Sequence, residues 1–301
     1  MQLSSWQFDT GNLELLAKQA VEGFIIGLHK SPFHGFSVEF AEHSLYNHGD
    51  SLKHIDWKVY AKSDKMFTKK FEEETNLKCN IAIDISPSMA FGKENVSKIQ
   101  FASLGAAAIM QLLRKQLDAS GLTFFTDTID WRSALKSSER HYKGLITELE
   151  ILLANGLQGK RTTNLPMVLH ELAETLAPRS LLVIFSDFLD DSERERSFVE
   201  ALQHLRFMKI EVIIFHVGVG DQEWEFNFEN RPYEFEDLET AEKVKLKPSD
   251  VKAFYKKEIE TYFGNLQQHC TQLGIDFVPC NTQTSMNVIL QSYLFRRNKL
   301  M

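Results

Sequence analysis

Three side chains with oxygen donors stand at alternate positions directly after an apolar run. The run is NIAI (80–83), and Asp84, Ser86 and Ser88 follow it within the stretch IDISPSM. A carboxylate and hydroxyls suit Mg²⁺, which takes oxygen ligands in an octahedral array and commonly retains waters. In an extended or gently curling segment, side chains two residues apart point the same way, so these oxygens would converge. A strand ending in a turn would show the same residue types, and the spacing alone leaves both interpretations open.

Two more candidate ligands occur later in the chain. Asp187 ends the apolar run SLLVIFSD (180–187), and Thr163 lies in KRTTNLP, before a predicted helix. Each has a structural interpretation, since Thr163 could be a helix N-cap and Asp187 could cap a turn or a helix. The order Asp-x-Ser-x-Ser, then threonine, then aspartate is nevertheless less expected by chance than any one part of it.

Apolar runs and amphipathic segments alternate along most of the sequence, and this predicts alternating strands and helices. Strands are predicted at CNIAIDIS (79–86), GLTFFT (121–126), SLLVIFSD (180–187), IEVIIFHVG (210–218) and IDFVPC (275–280). Helices are predicted at 99–117, 145–153, 165–176, 195–208, 252–273 and 286–297.

This alternation predicts an α/β fold with a mainly parallel, doubly wound, Rossmann-like sheet and helices on both faces. The apolar runs are continuous, as expected for strands that are buried on both sides. In such sheets the ligand site lies outside the carboxyl ends of the strands. If the strands before Asp84 and Asp187 are neighbours, their polar side chains share one edge of the sheet.

Two segments do not follow the alternation. Residues 31–76 are aromatic and charged. Asp50 and Asp56 there could cap turns or pair with nearby lysines, and Trp57 could be a buried anchor. Residues 221–247 are acidic and aromatic, and their pattern WEFNF (224–228) predicts a half-exposed strand, with 223–242 as a solvated edge. We expect the two segments to pair as a small β-rich subdomain.

The predicted domains follow from these patterns. Residues 1–78 form an N-terminal helix and a β-rich lead-in, and residues 79–218 with 251–301 form the α/β domain. Residues 219–250 are an insertion that pairs with the lead-in.

Composition argues against several classes of protein. The 301 residues carry a net charge of -7, which does not favour nucleic-acid binding, because that depends on Lys and Arg. Cys79, Cys270 and Cys280 form no Cys-x-x-Cys pair, so neither a zinc site nor a redox pair is indicated. Signal-peptide and membrane-helix patterns are absent from the sequence. We therefore expect a cytoplasmic protein with no membrane insertion and no nucleic-acid partner.

Enzyme signatures are also missing around these residues. A haloacid-dehalogenase-type phosphatase needs a second carboxylate two residues after its nucleophile, and Ser86 occupies that position. Neither Ser86 nor Ser88 lies in Gly-x-Ser-x-Gly. The stretch GLQGKR (156–161) has two residues between its glycines, where a nucleotide-binding P-loop has four. We expect no enzymatic activity, and a metal-dependent hydrolase is the less favoured alternative.

The candidate ligands resemble the metal-ion-dependent adhesion site of the von Willebrand factor A domain. The stretch YNHGDSLKHIDWKVYAKSDKMFTKKFEEE (46–74) is similar to the lead-in of the bacterial DUF58 family, in which GD…IDW precedes an A-type domain. SDFLD (186–190) and YEFEDLETAEKV (233–244) match that family too, so the resemblance spans about Phe33 to Arg297. Thr163 matches the family's threonine because Asn and Leu follow it, and Thr162 is the other candidate.

This resemblance implies a function. The hydroxyls of Ser86, Ser88 and Thr163 would contact Mg²⁺, or Mn²⁺, while Asp84 and Asp187 would act directly or through water. Neutral hydroxyls leave the ion under-neutralised, so an open position would attract an Asp or Glu carboxylate of a partner. The implied protein is a metal-dependent adaptor or chaperone-like partner of a MoxR-type AAA+ ATPase that presents an unknown client. The alternative is a metal-free scaffold that docks through the β-rich subdomain.

Overall fold

The computed structural model describes residues 12–21, 37–45, 56–63, 66–74, 77–93, 96–157, 164–189, 195–238 and 242–299. The strands are β1 (Ser37–Leu45), β2 (Phe67–Glu74), β3 (Lys78–Asp84), β4 (Gly92–Lys93), β5 (Val96–Ser97), β6 (Ala119–Phe125), β7 (Ile129–Arg132), β8 (Leu181–Ser186), β9 (Glu211–Gly218), β10 (Tyr233–Glu236), β11 (Lys243–Leu246) and β12 (Asp276–Asn281). The helices are α1 (Leu13–Val21), α2 (Trp57–Ser63), α3 (Lys98–Lys115), α4 (Glu139–Asn155), α5 (Leu165–Thr175), α6 (Glu195–Phe207), α7 (Pro248–Gln272) and α8 (Met286–Lys299). The chain divides into two units, Lys30–Leu77 and the remainder, Met1–His29 with Lys78–Met301.

A six-stranded sheet forms the centre of the larger unit, in the order β12-β9-β8-β3-β6-β7. Neighbouring strands are parallel, except that β7 runs antiparallel to β6. The predicted mixed α/β architecture with a mostly parallel sheet is therefore confirmed. The sequence does not predict β7, because its four residues, IDWR, include two charged ones.

The central strands are buried because their sequences are almost continuous apolar runs. All six residues of β8, LLVIFS, are buried, and so is every residue of β3 after Lys78. A strand that is covered on both faces has no side on which alternating polar residues would be favoured.

Helices cover both faces of this sheet, as predicted. On one face α5, α6 and α7 pack against a core that includes Ile184 of β8. On the other face α3 approaches β8 so closely that a Cβ added at Gly105 would lie 2.7 Å from the ring of Phe185. Helix α8 places Tyr293 against Phe215 there, with ring centroids 5.8 Å apart.

Helix α1 groups with the α/β unit rather than with the lead-in to which the sequence assigned it. Its residues Leu13, Ala17 and Val21 are buried. Arg114 of α3 also donates to Glu14 of α1 at 3.3 Å. The remaining domain boundaries stay a prediction.

The two segments outside the alternation each form a hairpin of their own. β1 pairs antiparallel with β2, and β10 pairs antiparallel with β11. Among the strand pairs of the described residues, none joins the two segments, so the expected pairing between them is not present there.

In the smaller unit, the capping interpretation of Asp56 holds and the buried-anchor interpretation of Trp57 is wrong. Asp56 caps α2, because its Oδ1 accepts the N–H of Val59 at 3.2 Å. Trp57 is 59% exposed and therefore does not act as a buried anchor.

The aromatic alternation at 224–228 does not form a strand, and that prediction is wrong. Gly220–Trp224 forms one turn of π-helix, and Phe226 has a left-handed backbone with φ 47°. The ring of Phe226 instead stacks on Phe235 of β10, with centroids 5.6 Å apart. The spacing of these aromatic residues serves a packed cluster rather than a pleated strand.

Candidate metal centre

Strands β3 and β8 are neighbours and end at the same edge of the sheet. Their register pairs Ile83 with Phe185, so Asp84 and Ser186 come next on the two strands. Asp187 follows directly. The sequence left open whether the strands before Asp84 and Asp187 are neighbours; they are, and their parallel arrangement places both carboxylates at the carboxyl edge.

The Asp-x-Ser-x-Ser segment curls at the end of β3. Ser86 is extended, with φ -61° and ψ 157°, and Pro87–Ala90 forms a 3₁₀ turn. The N–H of Ser86 donates to Asp84 Oδ1 at 2.9 Å. The Oγ atoms of Ser86 and Ser88 lie 3.0 Å apart. Asp84 and Ser86 are fully buried and Ser88 is half-buried, so the curl brings two hydroxyls together beside a buried carboxylate.

Asp187 is buried beside the same hydroxyls. The Ser88 hydroxyl is near enough to favour the charged form of Asp187, and so acts to lower the pKa of that carboxyl. The two strand ends are also tied to each other, because Ser186 Oγ donates to Asp84 Oδ2 at 2.7 Å. The structure thus brings together four of the predicted site residues: Asp84, Ser86, Ser88 and Asp187.

The turn after Asp187 is held in an unfavourable backbone conformation. Phe188 has φ 51°, and the left-handed region costs a non-glycine residue roughly 1–2 kcal/mol. Its buried ring and two hydrogen bonds offset this cost. Its N–H donates to Ser186 Oγ at 3.0 Å, and Tyr262 donates its hydroxyl to the Phe188 carbonyl at 3.0 Å. These contacts fix the direction in which the chain leaves the site.

Thr163 and its alternative, Thr162, lie outside the described residues. The next residue, Asn164, caps α5 by accepting the N–H of Met167 on its Oδ1 at 3.3 Å. The Asn164 N–H in turn donates to the carbonyl of Thr126 at 3.5 Å, and Thr126 directly follows β6. Because β6 adjoins β3, Asn164 lies at the same carboxyl edge.

A buried lysine contacts this group, and sequence reasoning missed it. Lys98 is the first residue of α3, its side chain is 1% exposed, and its Nζ lies 2.6 Å from Asp187 Oδ2. A cation is unfavourable at a helix N-terminus because of the helix macrodipole. A lysine directly after the N-cap Ser97 is therefore the sequence signal that could have identified it.

Glu223 is the second residue that sequence reasoning missed. Its Oε1 lies 2.6 Å from Lys98 Nζ, and its Oε2 accepts the N–H of Val219 at 2.7 Å. Its side chain is only 15% exposed, so the expectation of a solvated edge is wrong at this position. No sequence signal separates Glu223 from its acidic neighbours.

Burial and neighbouring charges shift the pKa values of the three buried carboxyl groups and of Lys98 in different directions. Burial, reinforced by the charge of Asp187, raises the pKa of Asp84 to about 7. Burial also acts to raise the pKa of Asp187, but the Lys98 ammonium outweighs it and holds that pKa below its ordinary value. Burial raises the pKa of Glu223 in spite of Lys98. Burial acts to lower the pKa of Lys98, but the two carboxylates outweigh it, so Lys98 stays charged.

His216 of β9 lies next to the site, beside β8. Burial lowers the pKa of His216 to about 3, although the charge of Asp187 acts to raise it, so its imidazole is neutral. Its ring packs on Phe263 and Trp224, with centroids 4.0 Å and 5.4 Å away. His216 is therefore a neutral, packed side chain next to the strand that leads into Asp187, rather than a cation.

The donor set fits a hard divalent ion. In the described part of the chain, no three His, Cys, Asp or Glu side chains are placed to hold a metal, so an ion at this edge would depend on hydroxyls. Two adjacent ligands of octahedral Mg²⁺, each about 2.1 Å from the ion, lie about 3.0 Å apart. The 3.0 Å separation of Ser86 Oγ and Ser88 Oγ matches this spacing.

The chain belongs to the DUF58 family, whose model, described as "Protein of unknown function DUF58", matches residues 42–261. The chain is 26% identical over 179 residues to the uncharacterized proteins Mb1516 of Mycobacterium bovis and Rv1480 of Mycobacterium tuberculosis. Each alignment covers 59% of this chain and 55% of the relative. The chain thus spans about half the length of the curated relatives it matches.

The solved structures that match this chain include two bacterial proteins. BatB from Bacteroides thetaiotaomicron matches with a TM-score of 0.46 and 14% identity, over 74% of this chain and 99% of that one. The pilus adhesin SpaC from Lactobacillus rhamnosus GG matches with a TM-score of 0.47 and 10% identity, over 76% of this chain and 31% of that one.

No described helix has the length and apolar character needed to cross a bilayer.

Proposed function

We propose that this protein is a metal-dependent protein-binding adaptor, with its α/β unit as a von Willebrand factor A-type domain. One observation carries the proposal. The hydroxyls of Ser86 and Ser88, 3.0 Å apart, converge with the carboxylates of Asp84 and Asp187 at one edge of the sheet. The ion would be Mg²⁺ or Mn²⁺, since oxygen ligands suit both. Thr163, or Thr162, would complete the set.

The chain's own residues supply and orient the ligands. Ser86 and Ser88 would bind the ion through their hydroxyl oxygens, and Asp84 and Asp187 would bind it directly or through water. Asp84 is oriented in advance by the N–H of Ser86 and the hydroxyl of Ser186, at 2.9 Å and 2.7 Å. The bound ion supplies an under-neutralised position that attracts a carboxylate from a partner.

The proposed partners follow from the family resemblance. We assign the protein to the cytoplasm, beside a MoxR-type AAA+ ATPase and a client that offers an Asp or a Glu. We propose binding without a chemical transformation, because Ser86 occupies the position where a phosphatase would need a second carboxylate.

Calorimetric titration with MgCl₂ and MnCl₂ tests the metal site. The variant Ser86→Ala/Ser88→Ala should bind either ion more weakly by about tenfold or more, because it lacks two ligands. The matched control Ser249→Ala removes an exposed hydroxyl in the first turn of α7 and should bind like the wild type. Thermal unfolding in EDTA shows whether each protein folds. An unchanged affinity in the folded double variant would contradict the site.

Co-purification with a MoxR-type ATPase of the same organism tests the partner. The complex should form in Mg²⁺ and be lost in EDTA. It should also be lost with Ser86→Ala/Ser88→Ala and be retained with Ser249→Ala. A complex that EDTA and the double variant leave intact would refute metal-dependent capture.

A metal-free scaffold is the second candidate function, and one observation favours it. The Lys98 ammonium already lies 2.6 Å from Asp187 and supplies an internal positive charge at the site. The scaffold would dock through the hairpin segments. If neither ion bound while the ATPase complex formed in EDTA, the scaffold would replace the adaptor.

A further inference from the structure

The positively charged ammonium of Lys98 contacts the carboxylate of Asp187, which we propose as a metal ligand. Its Nζ lies 2.6 Å from both Asp187 Oδ2 and Glu223 Oε1. The side chains of Lys98 and Asp187 are 1% and 5% exposed, so little water screens the charges from one another. A second cation drawn to Asp187 would therefore be repelled by the first.

We infer that Lys98 competes with the divalent metal for Asp187, and that metal binding requires the ammonium to release Asp187 and to keep Glu223 as its partner. This inference rests on the proposed function and names how the same site is regulated. Lys98 would keep metal affinity low until a partner's carboxylate adds negative charge. Metal and partner would then bind cooperatively.

Glu223 is positioned to keep the ammonium after Asp187 is taken. Its Oε2 is fixed by the Val219 N–H at 2.7 Å, which leaves Oε1 toward Lys98. The π-helical turn that carries it is tied to α7, because Tyr255 donates its hydroxyl to the Glu223 carbonyl at 3.0 Å. The displaced ammonium therefore keeps a fixed, buried anion as its partner.

The variant Lys98→Met/Glu223→Gln tests the competition. It removes one cation and one anion, so the net charge near the site is unchanged and only the competitor is lost. We expect Mn²⁺, measured by calorimetry, to bind about tenfold more tightly or better than to the wild type. The matched control Lys243→Met/Glu236→Gln removes an exposed ion pair of 3.1 Å between β10 and β11 and should leave the affinity unchanged.

Each outcome of this titration decides the inference. Tighter binding by the variant than by the wild type supports the inference. If the variant binds and the wild type binds no ion, the inference is still supported, but the proposed function of the unmodified protein is overturned. Equal or weaker binding by the folded variant overturns the inference and leaves the proposed site standing if the wild type binds. Failure of both proteins to bind overturns both proposals.

If Lys98→Met/Glu223→Gln does not fold in EDTA, the inference is tested on the wild-type protein instead. Nitrogen NMR of the lysine ammonium groups then follows Lys98 directly during a Mg²⁺ titration. Its resonance should shift with the midpoint of the calorimetric signal, while that of the exposed Lys115, at the other end of α3, stays constant. A constant Lys98 resonance during metal binding would overturn the inference.

Discussion

At the scale of single residues, Asp84 and His216 change protonation on folding in opposite directions. The pKa of Asp84 rises from 3.8 to about 7, so between these values the folded protein holds a proton that the unfolded chain lacks. The contribution of Asp84 therefore destabilises the fold as pH rises through this window. The pKa of His216 falls from 6.5 to about 3, so its contribution destabilises the fold as pH falls below 6.5.

Asp84→Asn should reveal the contribution of His216 to the pH dependence of the free energy of unfolding. Asparagine keeps an oxygen for the N–H of Ser86 but does not titrate. In EDTA, the free energy of unfolding of the variant should fall more steeply than that of the wild type between pH 6.5 and 4.5. The difference should reach about 1.4 kcal/mol per pH unit. Urea unfolding at several pH values measures both slopes.

The opposite variant provides the control for this pH dependence. His216→Phe keeps an aromatic ring against Phe263 but cannot bind a proton. Relative to the wild type, its stability should rise as pH is lowered through the same window. Parallel pH profiles for Asp84→Asn and the wild type would show that Asp84 is already ionised in the fold.

The ligand candidates could be predicted from sequence, while their counter-ions could not. Asp84 and Asp187 end two apolar runs, and the rule that ligands bind at the carboxyl ends of parallel strands places such residues at one edge. Lys98 and Glu223 are 125 residues apart, and only the fold brings them together. Burial of a charged pair leaves no periodic pattern, so residue types alone do not reveal it.

At the scale of secondary-structure elements, Gly105 sets how closely α3 approaches the sheet. A Cβ at this position would lie 2.7 Å from Phe185 Cε1 and 2.7 Å from Met286 Cε. Real Cβ atoms do not approach other atoms so closely. The same helix carries Lys98 in its first turn, so this packing also helps to place the ammonium at the edge of the sheet.

Gly105→Ala should destabilise the protein even though alanine is the better helix former. Overpacking a core typically costs about 1–3 kcal/mol, which exceeds the gain of about 1 kcal/mol in helix propensity. The matched control Gly144→Ala, in α4, places its Cβ where no atom lies within 4 Å, and it should be stabilising. Urea unfolding of both variants measures the change in the free energy of unfolding, which should be negative for Gly105→Ala and positive for Gly144→Ala. Stabilisation by both substitutions would show that α3 can move away from β8 at little cost.

Regular elements could be predicted from the sequence more closely than the turns between them. The amphipathic pattern of Ala, Leu, Met and Gln predicts helix α3 at 99–117, and the helix spans Lys98–Lys115. The π-helical turn Gly220–Trp224 was not predicted. Its shape depends on packing of Trp224 against Gly218 and on the bond of Glu223 to Val219, which are tertiary contacts.

At the scale of the whole molecule, the candidate site lies entirely in one of the two units. Asp84, Asp187, Lys98 and Glu223 all belong to the unit that contains Lys78–Met301. A ligand that binds only the folded state stabilises it by an amount that grows with the ratio of its concentration to Kd. Bound metal should therefore stabilise this unit directly.

Magnesium should slow amide hydrogen exchange in the sheet-edge peptides 78–93 and 180–189. At a Mg²⁺ concentration of about 100 times Kd, the stabilisation is about 2.7 kcal/mol, or about a hundredfold for amides that exchange by unfolding of this unit. Mass spectrometry in Mg²⁺ and in EDTA measures it. Peptides from β1 and β2, in the smaller unit, serve as the internal reference and should exchange at the same rate in both buffers. Ser86→Ala/Ser88→Ala should abolish the slowing at the sheet edge. Equal slowing in the reference peptides would show that the two units unfold together. An absence of slowing in 78–93 would contradict a metal site at this edge of the sheet.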